Sequence, residues 1–113
     1  MMIKVLIVED ENFIRKGLIG TFDWVSCDCT VIGEAENGVI GLEKIINLNP
    51  DLVITDIKMP RMNGIDMIKK GKEKVDFETF ILSSYDDFSY AKEAIDLRVQ
   101  DYILKPVDEE YLT

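Results

Sequence analysis

Short apolar runs that end in acid constrain this chain more than any other feature. Leu52-Val53-Ile54-Thr55 leads into Asp56 and is followed by Ile57-Lys58-Met59-Pro60. Ile3-Lys4-Val5-Leu6-Ile7-Val8 leads into Glu9-Asp10 in the same way. A run this short, apolar and rich in β-branched residues reads as a strand buried on both faces, the environment of a parallel sheet covered by helices. A carboxylate at the C-terminal end of such a strand lies at the lip of the sheet, where α/β proteins bind ligands. Two strands delivering acid to one edge point to a cation or phosphoryl site.

Between these runs the period changes. Ile14, Leu18 and Phe22 fall at i, i+4 and i+8, one face of a helix over residues 11–22. Asp23-Trp24 and the stretch holding Cys27 and Cys29 read as a loop, and residues 30–35 as a second strand. Val39, Leu42, Ile45 and Ile46 mark a second helix. Asn49-Pro50 stops it, because proline has no amide hydrogen and restricts the residue before it. After the third strand, Met59-Pro60-Arg61-Met62-Asn63-Gly64 carries turn chemistry in its proline and Asn-Gly pair. Ile65, Met67 and Ile68 belong to a third helix that weakens after Gly71.

Residues 77–82 form a fourth strand, ending in Ser83-Ser84. Asp86 or Asp87 can cap a fourth helix carrying Phe88, Ala91, Ala94 and Ile95. Asp101-Tyr102-Ile103-Leu104 is a short fifth strand, ending in Lys105-Pro106. Asp108-Glu109-Glu110 has the acidic first turn that a helix macrodipole favours, with Tyr111-Leu112 as its first apolar residues. Five strands alternating with helices imply an α/β fold, a flavodoxin-like doubly wound parallel sheet with right-handed crossovers. The expected strand order is 2-1-3-4-5, with the fifth helix truncated. With 113 residues there is enough chain for one domain with a core and too little for two.

Composition removes several function classes. Thirteen basic against 22 acidic residues give a net charge of −9. Nucleic-acid binding by counterion release needs clustered Lys and Arg, which the sequence lacks. There is no histidine, so Ser-His-Asp and Cys-His catalysis and His-ligated metal sites are excluded. A phosphohistidine, if one is the donor, must lie on another protein. Cys27 and Cys29 are too few for a four-ligand zinc site and too close for an unstrained bridge. They are read as reduced thiols, which favours the cytoplasm. No apolar stretch reaches the ~18 residues of a membrane span, and the N-terminus has no signal-peptide layout.

In the expected order the first and third strands are neighbours, about 4.8 Å apart. Asp10 and Asp56 then face each other, with Glu9 adjacent and Ser83 ending the next strand. Lys105 ends the edge strand roughly 10 Å away, a gap a long lysine can lean across. Mg²⁺ takes near-octahedral oxygen ligands, usually one or two carboxylates with several waters. Asp10 and Asp56 can supply them, with Glu9 acting through water. Asp56 is the candidate nucleophile, since a carboxylate can form an acyl phosphate. Ser83 can donate to a phosphoryl oxygen, Ser84 is small enough to leave room for the group, and Lys105 adds a positive charge. Singly each residue has a plain reading as a helix cap, turn residue or exposed dipeptide. Five matches at five strand ends, in order, are much harder to dismiss.

Val5-Leu6-Ile7-Val8-Glu9-Asp10, Asp56-Ile57-Lys58-Met59-Pro60, Leu82-Ser83-Ser84 and Tyr102-Ile103-Leu104-Lys105-Pro106 together resemble the receiver domain of two-component response regulators. The resemblance covers essentially the whole chain. It implies a phosphoacceptor rather than an enzyme, with Asp56 taking a phosphoryl group from a sensor histidine kinase. It implies Mg²⁺ held by Glu9, Asp10, Asp56 and the backbone carbonyl of Lys58. Ser83 and Lys105 match the switch and contact positions, Tyr102 matches the aromatic that turns inward, and the Lys105-Pro106 bond would be cis. Phe22-Asp23-Trp24, residues 82–92 and residues 105–110 are similar to receivers joined to AraC-type DNA-binding domains. That likeness implies transcription regulation through a C-terminal domain outside this chain, and homodimers as a mode of association.

Arg98 departs from the family pattern, which has glycine at the end of the fourth helix. The truncated fifth helix implies an uncovered apolar strip beside the first helix, and hence a destabilised or self-associating chain. Two rivals stand beside this reading. A haloacid-dehalogenase-type phosphatase needs a second Asp two residues after the first, where Lys58 stands. A flavodoxin-like binding module needs a Ser/Thr/Gly-rich phosphate loop where Glu9-Asp10-Glu11 stands.

Overall fold

A computed structural model describes residues 2–82 in full and the backbone of Ser83 and of 101–104. Strand β1 (Ile3–Val8) is followed by helix α1 (Asn12–Thr21), a single 3₁₀ turn (Val25–Cys27) and β2 (Cys29–Ala35). Helix α2 (Gly38–Leu48), β3 (Leu52–Asp56), α3 (Gly64–Lys72) and β4 (Glu78–Ser83) come next. These four strands lie parallel in the order β2-β1-β3-β4. The order reverses at β1, so β1 and β3 are neighbours, as the sequence pattern requires for an α/β sheet with a switch point. The expected fourth helix, with Phe88 and Arg98, and everything from Lys105 onward lie outside the described residues.

Both faces of the sheet are covered, which is why the strands are apolar without alternation. Leu6 and Val8 of β1, Val53 of β3 and Ile81 of β4 point to the side where α2 and α3 bring Ile45, Ile65, Met67 and Ile68. Val5, Ile7, Ile54 and Leu82 point to the other side, under Leu18 of α1, Phe22 and Trp24. Residues one apart in a strand face opposite ways, and the two clusters divide the strands accordingly.

The helix ends follow from local chemistry. Asn37 caps α2 by accepting from the Ile40 amide at 2.9 Å, and Asn63 caps α3 by accepting from the Asp66 amide at 2.8 Å. The Asn-Gly pair expected to form a turn therefore starts a helix. Asn49 closes α2 at φ 49° with its amide on the Ile45 carbonyl, and Pro50 follows. The cysteines also differ from expectation. Cys29 is the first residue of β2, drawn into the sheet opposite Ile3, while Cys27 ends the 3₁₀ turn. Parallel pairing extends β2 one residue earlier than its apolar pattern. No disulfide joins the two cysteines, and burial, ahead of the charges of Cys27 and Asp28, pushes the Cys29 thiol up. No helix among the described residues is long and apolar enough to cross a membrane.

Candidate functional site

The register of the sheet delivers the acids to one edge. Val8 lies opposite Thr55, so Glu9 and Asp56 leave their strands at the same level. Asp56 lies opposite Leu82, which puts the Ser83 backbone one step beyond it. Oxygens of Glu9, Asp10 and Asp56 lie within 4.8 Å of one another. Glu9 is fully buried and Asp56 is 5% exposed, whereas Asp10 is open to solvent. Two like charges at that separation repel by about 3 kcal/mol at an effective dielectric of ~20. Three hard oxygen donors at the end of two strands suit Mg²⁺.

Backbone contacts fix Asp56. Its Oδ1 accepts from the Ile57 amide at 2.7 Å, and its carbonyl accepts from the Thr55 hydroxyl at 2.8 Å. The loop after it folds back so that the Gly64 amide donates to the Ile57 carbonyl at 2.7 Å. A Cβ at Gly64 would meet the Asp56 carbonyl oxygen, and a Cβ at Gly38 would meet the Met62 carbonyl oxygen. Two glycines thus let α3 and α2 close on the loop that carries Lys58, whose side chain is exposed. Arg61, in the same loop, has φ 72°, a left-handed conformation unusual for a side chain of its size.

The other arm of the site is the β1–α1 loop. The Glu9 amide donates to the Ala35 carbonyl at 3.0 Å, and Glu9 Oε2 accepts from the Glu11 amide at 3.0 Å. Arg15 of α1, which the sequence reading passed over, is buried beside this loop. Its Nη1 donates to the Glu9 carbonyl at 2.7 Å, and its Nε pairs with Glu34 Oε1 at 2.8 Å. Lys16 shares that Glu34 oxygen at 2.7 Å. Hydrogen bonds from Lys16, then Arg15, hold the Glu34 carboxyl below its usual range. A charge buried on α1 and an acid at the end of β2 were the available signal.

Of the expected site residues, the structure brings Glu9, Asp10 and Asp56 together and puts Lys58 two residues beyond Asp56. The side chains of Ser83 and Tyr102, with Ser84 and Lys105 entire, lie outside the described residues. No second aspartate follows Asp56 at the position a dehalogenase-type phosphatase would use.

Comparison with known proteins places this geometry in context. The family model described as the response regulator receiver domain matches residues 5–113. The chain is 40% identical over 112 residues to the uncharacterized transcriptional regulatory protein YesN of Bacillus subtilis, covering 98% of this chain and 30% of that one. The chain spans less than half the length of the curated relatives it matches. The solved receiver domain of AraT, a response regulator from Geobacillus stearothermophilus, superposes with a TM-score of 0.93 at 41% identity, covering 99% of this chain and 88% of that one. A two component transcriptional regulator AraC from Clostridium phytofermentans superposes with a TM-score of 0.87 at 32% identity, covering 97% and 86%.

Proposed function

The chain belongs to the response regulator receiver domain family, and from that premise we propose that Asp56 is its phosphoacceptor. The observation that carries this is the meeting of three carboxylates from adjacent strand ends within 4.8 Å, with Asp56 Oδ1 accepting from the Ile57 amide. One Asp56 oxygen attacks the phosphorus of a phosphohistidine on a sensor histidine kinase. The P–N bond breaks, the imidazole leaves, and an aspartyl phosphate remains. The chain turns over no separate substrate; it assists its own phosphotransfer and dephosphorylation.

Glu9, Asp10 and Asp56, with the Lys58 carbonyl, would hold Mg²⁺. When bound, the ion screens the clustered charge and lets an anionic phosphoryl group approach an anionic nucleophile. By the family pattern of their positions in the sequence, Ser83 and Lys105 would contact the phosphoryl group, with Ser84 and Tyr102 as the accompanying switch positions. Backbone pairing of Phe80 through Ser83 with Asp101 through Leu104 supports Asp101–Leu104 as the fifth strand, which gives the order 2-1-3-4-5. Likeness to transcriptional regulators supports a cytoplasmic protein that acts on DNA through a domain outside this chain.

The test is intact mass after incubation with Mg²⁺ and acetyl phosphate. A gain of one phosphoryl group that disappears in Asp56→Ala is expected. No gain, or a gain that survives the substitution, overturns the proposal.

A further inference from the structure

Arg15 is the one buried cation among the described residues, 7% exposed. A buried charge is costly unless it is paired and hydrogen-bonded, and Arg15 is bonded in three directions. Nη1 donates to the Glu9 carbonyl at 2.7 Å, Nη2 to Asn12 Oδ1 at 2.6 Å, and Nε to Glu34 Oε1 at 2.8 Å. One rigid fork thus ties the end of β1 to the first turn of α1 and anchors both to β2. The two residues it grips, Glu9 just after β1 and Asn12 at the start of α1, bracket Asp10. Asp10 is the most exposed member of the acidic trio, and three carboxylates this close repel one another.

We infer that Arg15 is a positioning residue for the metal arm of the site. It holds the Glu9-Asp10 segment in the ligating arrangement against carboxylate repulsion, so that an incoming Mg²⁺ meets a preformed site. It touches neither the phosphoryl group nor the ion. Groups that orient metal ligands in this way typically carry about 10-fold or more of the affinity. The guanidinium suits the task because its donors are fixed in a plane, whereas a lysine ammonium is a flexible point charge. Lys16 reaches Glu34 but makes no bond to the loop, which supplies an internal control. The inference rests on the metal reading proposed above.

The test is Mg²⁺ affinity by isothermal titration calorimetry. Arg15→Met is expected to weaken it by about 10-fold or more. Arg15→Lys keeps the charge and recovers only a minor part of the loss. Glu34→Ala removes one anchor and gives an intermediate loss, and Lys16→Met gives none. In phosphorylation by acetyl phosphate, the Arg15→Met defect lies in the Mg²⁺ dependence and shrinks as Mg²⁺ is raised, which a loss of fold would not do. Wild-type affinity in folded Arg15→Met, or complete rescue by Arg15→Lys, overturns the inference. If Arg15→Met does not fold, unchanged affinity in Glu34→Ala overturns it instead. A wild-type protein that binds no Mg²⁺, or binds it equally well as Asp10→Asn, defeats the metal reading and this inference together. Affinity that depends on Asp10 and not on Arg15 defeats the inference alone.

Discussion

The two loops that meet at the site are held by opposite means. The loop after β3 is held by shape: Ile57 and Ile65 are buried, and Gly64 and Gly38 allow backbone to press on backbone. The loop after β1 is held by charge, through the Arg15 fork and its partner Glu34. Shape-held contacts respond to volume and are indifferent to pH, because apolar packing carries no titrating group. Charge-held contacts respond to pH, salt and the identity of the cation. The contacts that hold the loop presenting Asp10 are therefore the ones a change in charge or salt can influence.

The contrast breaks most visibly if the shape-held side tolerates a lost side chain. Ile65→Ala empties part of the cluster formed with Ile45, Met67 and Ile68. It is expected to cost about 3 kcal/mol, read as a lower urea midpoint at unchanged slope. Gly64→Ala follows, at about 2 kcal/mol, because its Cβ meets a carbonyl and no flexible side chain can yield. A neutral Gly64→Ala would mean that the β3–α3 loop is looser than its packing implies. Arg61→Gly acts in the opposite sense. Relieving the φ of 72° should stabilise by about 1 kcal/mol, seen as a higher melting temperature with Asp56 still phosphorylated.

The smallest effect belongs to the charge-held side. Glu34 has its folded pKa depressed below the ordinary 4.5 by Lys16 and Arg15. Its ionised form thus contributes stability above pH 4.5, and that contribution is lost as pH falls through the lower folded value. Glu34→Gln should be less stable than wild type at pH 7 by under ~1 kcal/mol, the size of a solvent-screened pair. The difference should close under acid, and urea titrations at several pH values would show it. A difference that persists unchanged at low pH would remove charge as the agent.

Much of this contrast was legible in the sequence, and the rest was not for physical reasons. The strands announced themselves as short apolar runs and the helices by a 3.6-residue period, both local properties of the chain. Asp56 and Glu9-Asp10 stood out because each ends an apolar run, and the register of β1 on β3 then brings them together. Arg15 did not stand out, because a charge on an amphipathic helix reads as solvated. Its inward turn depends on a carbonyl on β1 and a carboxylate on β2, neither near it in the helical pattern. The left-handed residue of the β3–α3 loop was hidden for a similar reason. Turn preference points to Asn63-Gly64, yet Asn63 is spent capping α3 and Gly64 on close approach, so Arg61 takes the positive φ.

The division of labour between the loops is tested most directly by locating the phosphoryl group. Wild-type protein would be phosphorylated by acetyl phosphate with Mg²⁺, reduced with borohydride to convert an acyl phosphate into homoserine, and mapped by peptide mass. Homoserine at position 56 alone is the expected result. Homoserine at position 10, the one-carbon-longer 5-hydroxynorvaline at position 9, or no reduced residue at all, would contradict the assignment of Asp56 as acceptor and of Glu9 and Asp10 as its metal-binding arm.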